Sequence, residues 1–176
     1  MVRHYKKTAE DLIISVTNPS FTDLLRSPSL MLAFGFGSGL SPRAPGTMGT
    51  LVAIPLWLLL AQLSQPTYVA VIFLAALAGL FICGRAADKI GVHDHGGIVW
   101  DEFVGYWITM AFLPAGYVSV ALGFVLFRLF DILKPWPINW FDKKVSGGLG
   151  IMLDDIIAGI AAGGCGWLVQ PLLFVN

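Results

Sequence analysis

Five long apolar segments constrain the fold of this chain more than any other feature of its sequence. They cover residues 49–64, 67–84, 98–113, 116–133 and 156–175. They are rich in leucine, alanine, phenylalanine and glycine and too long for ordinary strands, although none is an uninterrupted apolar run of about twenty residues. Because a helix satisfies its own backbone hydrogen bonds in lipid, we predict an all-α, polytopic membrane protein with about four to five short membrane-embedded helices.

The composition supports a membrane setting. Hydrophobic residues make up 56% of the chain and charged residues 12%, with a mean hydropathy of +0.76, whereas soluble domains carry roughly 25% charged residues. Eleven basic and eleven acidic residues cancel, so the charge gives no indication of a nucleic-acid partner. Cys83 and Cys165 lie in apolar runs without a CxxC pattern, and we interpret both as buried hydrophobic residues.

Charged residues are confined to alternate connections between the apolar segments. The connections SQPT (64–67) and LPAG (113–116) carry no charge, and all charged residues fall within 1–43, 85–102 or 128–155. If the segments cross the membrane in turn, these regions share one side, which the positive-inside rule identifies as the cytoplasm. We therefore predict an N-terminal cytoplasmic segment (1–30) and a single membrane-embedded domain (31–176) with a polar site on its cytoplasmic face.

Three groups of carboxylates fall at the ends of the apolar segments. Asp101 and Glu102 begin the third segment, Asp131 lies near the end of the fourth, and Asp154 and Asp155 begin the fifth. Taken singly, an acid in the first turn of a helix can simply complement the helix dipole. Five ionised acids close to hydrocarbon are costly, up to about 2.5–3.5 kcal/mol each, unless a cation compensates them. Mg²⁺ is the candidate, because it binds carboxylates together with phosphate oxygens.

Basic residues near the same level predict anion binding. Arg128 and Lys134 flank Asp131, and both could instead snorkel to the membrane interface. Arg43 and Thr47 lie in the glycine-rich stretch GFGSGLSPRAPGTMGT (35–50). There, amides at a helix start could meet an anion, although close packing would explain the glycines equally well.

The stretch HDHGG (93–97) has two interpretations. Zinc requires three or four nitrogen or sulfur ligands, and the chain offers too few near His93. His93 and Asp94 could bind the substrate or a metal ligand, or could shape a tight turn.

The chain contains no GxSxG motif. Acids, a metal and basic residues remain, and that set is typical of phosphoryl transfer.

Three long motifs carry a resemblance to a known family. GFGSGLSPRAPGTMGT (35–50), GVHDHGGIVWDEFVGYW (91–107) and FRLFDILKPWPINWFDKKVSGGLGIMLDDIIAG (127–159) closely resemble the phosphatidylglycerophosphatase A family. The resemblance runs from about Phe34 to Gly159. It implies a Mg²⁺-dependent lipid phosphatase of the bacterial inner membrane, which removes the terminal phosphate of phosphatidylglycerophosphate in the membrane on its cytoplasmic side. Residues 31–176 would then form the catalytic domain.

The resemblance also implies site residues. The acidic motif positions of the family fall on Asp101, Glu102, Asp131, Asp154 and Asp155, its Lys-Pro motif on Lys134, and its histidine-aspartate motif on His93 and Asp94. We expect Glu102, Asp154 and Asp155 to bind the metal. Asp131 would be a further ligand or, like Asp101, would orient or deprotonate water. Arg128 and Lys134 would hold the phosphate.

Two other functions fit part of this pattern. A transporter would use the acids as a cation path, but it predicts acids near the bilayer midplane and inverted repeats, and the sequence shows no repeat. An alcohol phosphotransferase acting on a lipid nucleotide also needs clustered aspartates and Mg²⁺, but its aspartate-glycine motif is missing. The number of metal ions, the attacking nucleophile and the oligomeric state stay open.

Overall fold

The computed structural model describes residues 19–92 and 95–173, and within these ranges the chain is helical with no strand. The elements in chain order are α1 Phe21–Arg26, α2 Pro28–Ala33, a 3-10 helix Gly35–Leu40, α3 Pro45–Leu60, α4 Gln65–Ile90, α5 Trp100–Met110, α6 Tyr117–Leu133, α7 Ile138–Lys144 and α8 Gly147–Leu173. The prediction of an all-α fold is confirmed for the part of the chain that the structure describes.

Local sequence signals explain where several helices begin and end. Ser20 and Asp23 form a reciprocal capping box at the start of α1. Helix α4 ends at Gly91, whose φ of 74° suits a residue without a Cβ. Helix α6 ends before Pro135, because a residue preceding proline disfavours the helical region, and Lys134 caps it in the left-handed conformation.

The short helix α5 lies at the centre of the fold. It packs against α3, α4, α6 and α8, and nearly all of its side chains are buried. Its aromatic side chains connect it to its neighbours through backbone carbonyls: Trp107 donates to Ala53 on α3 at 3.0 Å, and Trp100 donates to Ala75 on α4 at 3.1 Å. Such bonds satisfy the polar ends of large aromatic rings inside an apolar core.

Glycines let the long helix α8 approach α5 closely. A Cβ on Gly159 would clash with the carbonyl oxygen of Gly105, and a Cβ on Gly105 would meet the Asp155 carbonyl oxygen at 2.7 Å. The two helices run parallel, since Phe112 near the end of α5 meets Gly163 further along α8. Small residues permit the same close approach of backbones at membrane helix interfaces.

Two helices, α4 and α8, are long and apolar enough to cross a membrane. At about 1.5 Å per residue, α3, α5 and α6 reach roughly 16–26 Å, less than the hydrocarbon core of about 30 Å. The prediction of four to five membrane-embedded helices is thus too high if every one is to cross. Only 22% of the apolar window of α4 is buried, and Phe73, Leu74 and Phe81 stand exposed on it. An apolar surface of this extent is typical of contact with lipid.

The start of the fifth segment was predicted wrongly. The sequence analysis places Asp154 and Asp155 at the start of this segment, but α8 begins at Gly147, within the run SGGLG (146–150), and carries both acids about two turns in. Gly148 serves packing, because a Cβ on it would clash with the Leu80 carbonyl oxygen of α4. Residues 19–30 also pack on the rest of the chain, with Leu24 and Leu30 buried in the common core.

Candidate active site

Three carboxylates from two helices converge at one end of the fold. Asp101 and Glu102 lie in the first turn of α5, and Asp155 lies on α8. One oxygen from each of the three side chains lies within 4.8 Å of the others. The close approach of α5 and α8 at Gly105, one turn beyond the α5 acids, brings the carboxylates together.

Two basic residues from the end of α6 flank these acids. Arg128 Nη1 lies 2.6 Å from Asp131 Oδ2, one turn along the same helix, and 3.6 Å from Glu102 Oε1 on α5. Lys134 Nζ donates to Asp154 Oδ2 on α8 at 2.5 Å. The predicted grouping of acids and bases from three segments is therefore present as one cluster, with two cations facing five carboxylates.

The charge and burial of this cluster suit a bound cation. Burial, followed by the neighbouring Glu102, raises the pKa of Asp101 well above its usual range, and burial, followed by Asp155 and Asp131, does the same to the pKa of Glu102. The Glu102 Oε2 atom is buried and accepts no hydrogen bond from the residues that the structure describes. A divalent ion would satisfy this oxygen and remove the repulsion between the carboxylates.

The five acids and Lys134 line a single cavity of about 240 Å³. The remaining wall is mostly backbone and apolar side chains: Gly96, Ile98, Val145, Gly150 and Ile151. Arg128 does not line this cavity; it lies behind Glu102 and Asp131, with its side chain 13% exposed. The arrangement provides acid ligands, one cation and space for a phosphate-sized anion within one recess.

The start of α3, where the sequence predicts an anion site, lies against a pair of charged side chains and does not line the acidic cavity. A Cβ on Gly46 would overlap Glu102 Oε1 and would approach both Arg128 Nη atoms to 3.1 Å, so the start of α3 lies against the Glu102–Arg128 pair. Thr47 is half-buried and outside the acidic cavity, and Arg43 is exposed in the preceding loop. The sequence analysis missed Gly46, because a glycine among several in one stretch carries no signal of its own.

The metal-ligand prediction named Glu102, Asp131, Asp154 and Asp155. The structure brings Glu102 and Asp155 together with Asp101 in the tight group, whereas Asp131 and Asp154 contact basic residues. Which of these acids bind a metal stays a prediction. His93 and Asp94 lie outside the described residues, so their predicted contacts stay predictions. The neighbouring His95 is described, and its Nδ1 accepts a hydrogen bond from the Gly97 amide at 3.0 Å.

Comparison with known proteins supplies an independent line of evidence. The family described as phosphatidylglycerophosphatase A matches residues 31–170. A phosphatidylglycerophosphatase A of Escherichia coli K12 is 53% identical, and the match covers 80% of this chain and 82% of that protein. A phosphatidylglycerophosphatase A of Haemophilus influenzae is 46% identical, and the match covers 82% of this chain and 90% of that protein. A Bacteroides thetaiotaomicron protein provisionally named a phosphatidylinositol-3-phosphatase is 37% identical, and the match covers 81% of this chain and 89% of that protein. No solved structure matches.

Proposed function

This chain belongs to the phosphatidylglycerophosphatase A family, and from that premise we propose that it hydrolyses the terminal phosphate monoester of phosphatidylglycerophosphate. The products are phosphatidylglycerol and inorganic phosphate. The reaction class, phosphoric monoester hydrolysis, follows from the relatives that the chain matches over most of its length. The remaining parts of the proposal are the lipid substrate, the dependence on Mg²⁺ and the orientation in the bacterial inner membrane.

One observation carries the proposal: three carboxylates, two of them buried and one half-buried, lie close together in a recess that also presents Lys134. A phosphate monoester is doubly anionic and would be repelled by five carboxylates alone. The recess becomes an anion site when a divalent cation occupies the group formed by Asp101, Glu102 and Asp155. Bound Mg²⁺ would neutralise charge on the phosphate oxygens and polarise the phosphorus centre.

The residues around this group have separate tasks in the proposed reaction. Lys134 Nζ lines the recess and is held by Asp154, which directs a positive charge toward the phosphate. Arg128 holds Glu102 and Asp131 in place rather than binding phosphate itself. Asp131 lines the recess outside the tight group of three, where it can orient the attacking water or accept its proton.

The hydrolysis balances without a further reactant. Water adds its oxygen to phosphorus as the bond between phosphorus and the glycerol oxygen breaks. The glycerol oxygen takes up one proton and becomes the free hydroxyl of phosphatidylglycerol, while the water oxygen leaves with inorganic phosphate.

The direct test is release of phosphate from phosphatidylglycerophosphate in detergent micelles by the purified protein. Removal of divalent ions with a chelator should abolish release, and added Mg²⁺ should restore it. Glu102→Gln keeps the shape of the side chain but removes its charge, so we expect release to fall by at least about two orders of magnitude. The folded state of each protein is checked by gel filtration and thermal unfolding.

Other outcomes of this assay would identify a different function. Phosphate release from phosphatidylinositol 3-phosphate alone would indicate that the chain is a phosphatidylinositol-3-phosphatase, as its Bacteroides relative is provisionally named. Formation of a new phosphodiester from an alcohol and a lipid nucleotide would indicate a phosphotransferase. Metal uptake into vesicles without any phosphate release would indicate a transporter. Full activity of Glu102→Gln would mean that Glu102 caps the start of α5 and takes no part in the reaction.

A further inference from the structure

A second cavity, of about 440 Å³, lies beside the acidic recess, and the proposed reaction does not use it. Its walls come from Phe34, the end of the 3-10 helix, the loop that leads into α3 and the turn at His95. Gly96 lines both cavities, so the two are direct neighbours. A volume of this size falls within the range of about 300–1,000 Å³ that is usual for small-molecule sites.

The walls of this second cavity are held in place by backbone contacts. A Cβ on Gly39 would clash with the Gly97 carbonyl oxygen, so the 3-10 helix and the turn at His95 touch through their backbones. The His95 ring lies 5.5 Å from the Phe34 ring, and its Nδ1 accepts the Gly97 amide. When the imidazole is neutral, this bond leaves the proton on Nε2. The cavity is therefore preformed rather than a gap between loosely packed loops.

Arg43 carries a positive charge in the loop that borders this cavity, although it is not itself part of the cavity wall. It lies between Pro42 and Pro45, which both line the cavity, and its side chain is exposed. Its guanidinium forms no ion pair or hydrogen bond with the residues that the structure describes. By contrast, Arg128 and Lys134 both contact carboxylates. Arg43 is therefore available to an external anion.

We propose that this second cavity binds the part of the lipid in which a phosphodiester joins glycerol to diacylglycerol, and that Arg43 pairs with the phosphodiester. This inference rests on the proposed function. The substrate carries two anionic groups on one glycerol: the monoester that is cleaved and the diester that remains. With the monoester in the acidic recess, the diester must lie one glycerol unit away. The neighbouring cavity offers the space at that place and the loop that borders it carries the cation, so that together they select lipids with this second phosphate.

The two reaction products probe the two cavities separately. Short-chain phosphatidylglycerol carries the diester and lacks the monoester, whereas inorganic phosphate resembles only the monoester. In Arg43→Gln, we expect the inhibition constant for short-chain phosphatidylglycerol to rise about tenfold, because a charge-assisted contact is lost. The inhibition constant for inorganic phosphate should stay within twofold of the original protein.

Two further variants serve as controls in the same assay. Arg43→Lys keeps the charge and should recover most of the affinity for phosphatidylglycerol. Arg26→Gln removes an arginine from the last turn of α1, away from both cavities, and should change neither inhibition constant. Equal loss of both inhibitors in Arg43→Gln, or no inhibition of the original protein by phosphatidylglycerol, would overturn the inference. Failure of the original protein to cleave phosphatidylglycerophosphate would instead overturn the proposed function.

Discussion

At the scale of single residues, Arg128 shows how the structure separates two interpretations that the sequence left open. An arginine near the end of a membrane helix often snorkels outward to water. Arg128 instead turns inward, is 13% exposed, and contacts Asp131 and Glu102 from two different helices. If the Arg128 guanidinium no longer lay against them, the Asp131 and Glu102 carboxylates would lack a nearby positive charge, which is costly at a buried site.

The substitution Arg128→Lys tests this role. Lysine keeps the charge, but it lacks the rigid planar guanidinium that here places Nη1 against both carboxylates. We expect the variant to lose about ten- to a hundred-fold in kcat/KM for phosphate release, which corresponds to roughly 1.5–3 kcal/mol. The loss should appear mainly in kcat, because Arg128 lies behind the recess rather than in its wall.

Lys134→Arg is the matched comparison for Arg128→Lys. Lys134 presents a single ammonium to Asp154, which is a less exacting contact, so this variant should retain more activity. Thermal unfolding in detergent shows whether both variants fold. Activity of Arg128→Lys within twofold of the original protein would mean that the site needs only a positive charge at this position and not the guanidinium.

Sequence reasoning identified the acidic residues of the candidate site but not their arrangement. Charge near hydrocarbon is costly enough to stand out in a chain this apolar, so all five acids could be selected. Which three lie closest depends on the rotation of α5 and α8 about their axes, and that is fixed by the contact of Gly105 with Gly159. A one-dimensional pattern does not contain this rotation, and so Asp101 was not expected in the tight group of three carboxylates.

At the scale of helices, the contact between α5 and α8 is the element on which the site depends. Gly159 lies one turn after Asp155, and its Cα faces the Gly105 carbonyl oxygen without room for a Cβ. Any separation of the two helices at this point moves Asp155 away from Asp101 and Glu102.

The substitution Gly159→Ala should therefore weaken both stability and activity. Inserting a methyl group into a closely packed contact typically costs about 1–3 kcal/mol, which should lower the unfolding temperature in detergent and reduce phosphate release. Gly164→Ala is the matched control on the same helix, since a Cβ there would meet nothing within 4 Å. It should be neutral or slightly stabilising, because alanine favours a helix over glycine by about 1 kcal/mol. Equal effects of the two substitutions would contradict the packing argument.

At the scale of the whole molecule, hydropathy predicted helices in the right places and misjudged how far they reach. The apolar runs corresponding to α3, α5 and α6 are real helices, but hydropathy does not distinguish a run that faces lipid from one that faces other helices. Helix α5 is apolar because it is enclosed by protein, whereas α4 is apolar and largely exposed. Only the packing reveals this difference, which is why the count of crossing helices was too high.

The orientation of the molecule can be tested by labelling single cysteines. We expect α4 to cross the membrane, since its 26 residues reach about 39 Å, so Ser64 before its start and the acidic site at its end lie on opposite sides. In a background with Cys83→Ala and Cys165→Ala, Ser64→Cys should react with a membrane-impermeant maleimide in intact spheroplasts. Asn139→Cys, on an exposed position of α7 beside the acidic site, should react only after lysis, because the positive-inside rule places that side in the cytoplasm.

Retained phosphate release shows that each variant is inserted correctly. The reverse labelling pattern would place the site outside the cytoplasm, and labelling of both cysteines in intact spheroplasts would mean that α4 does not cross.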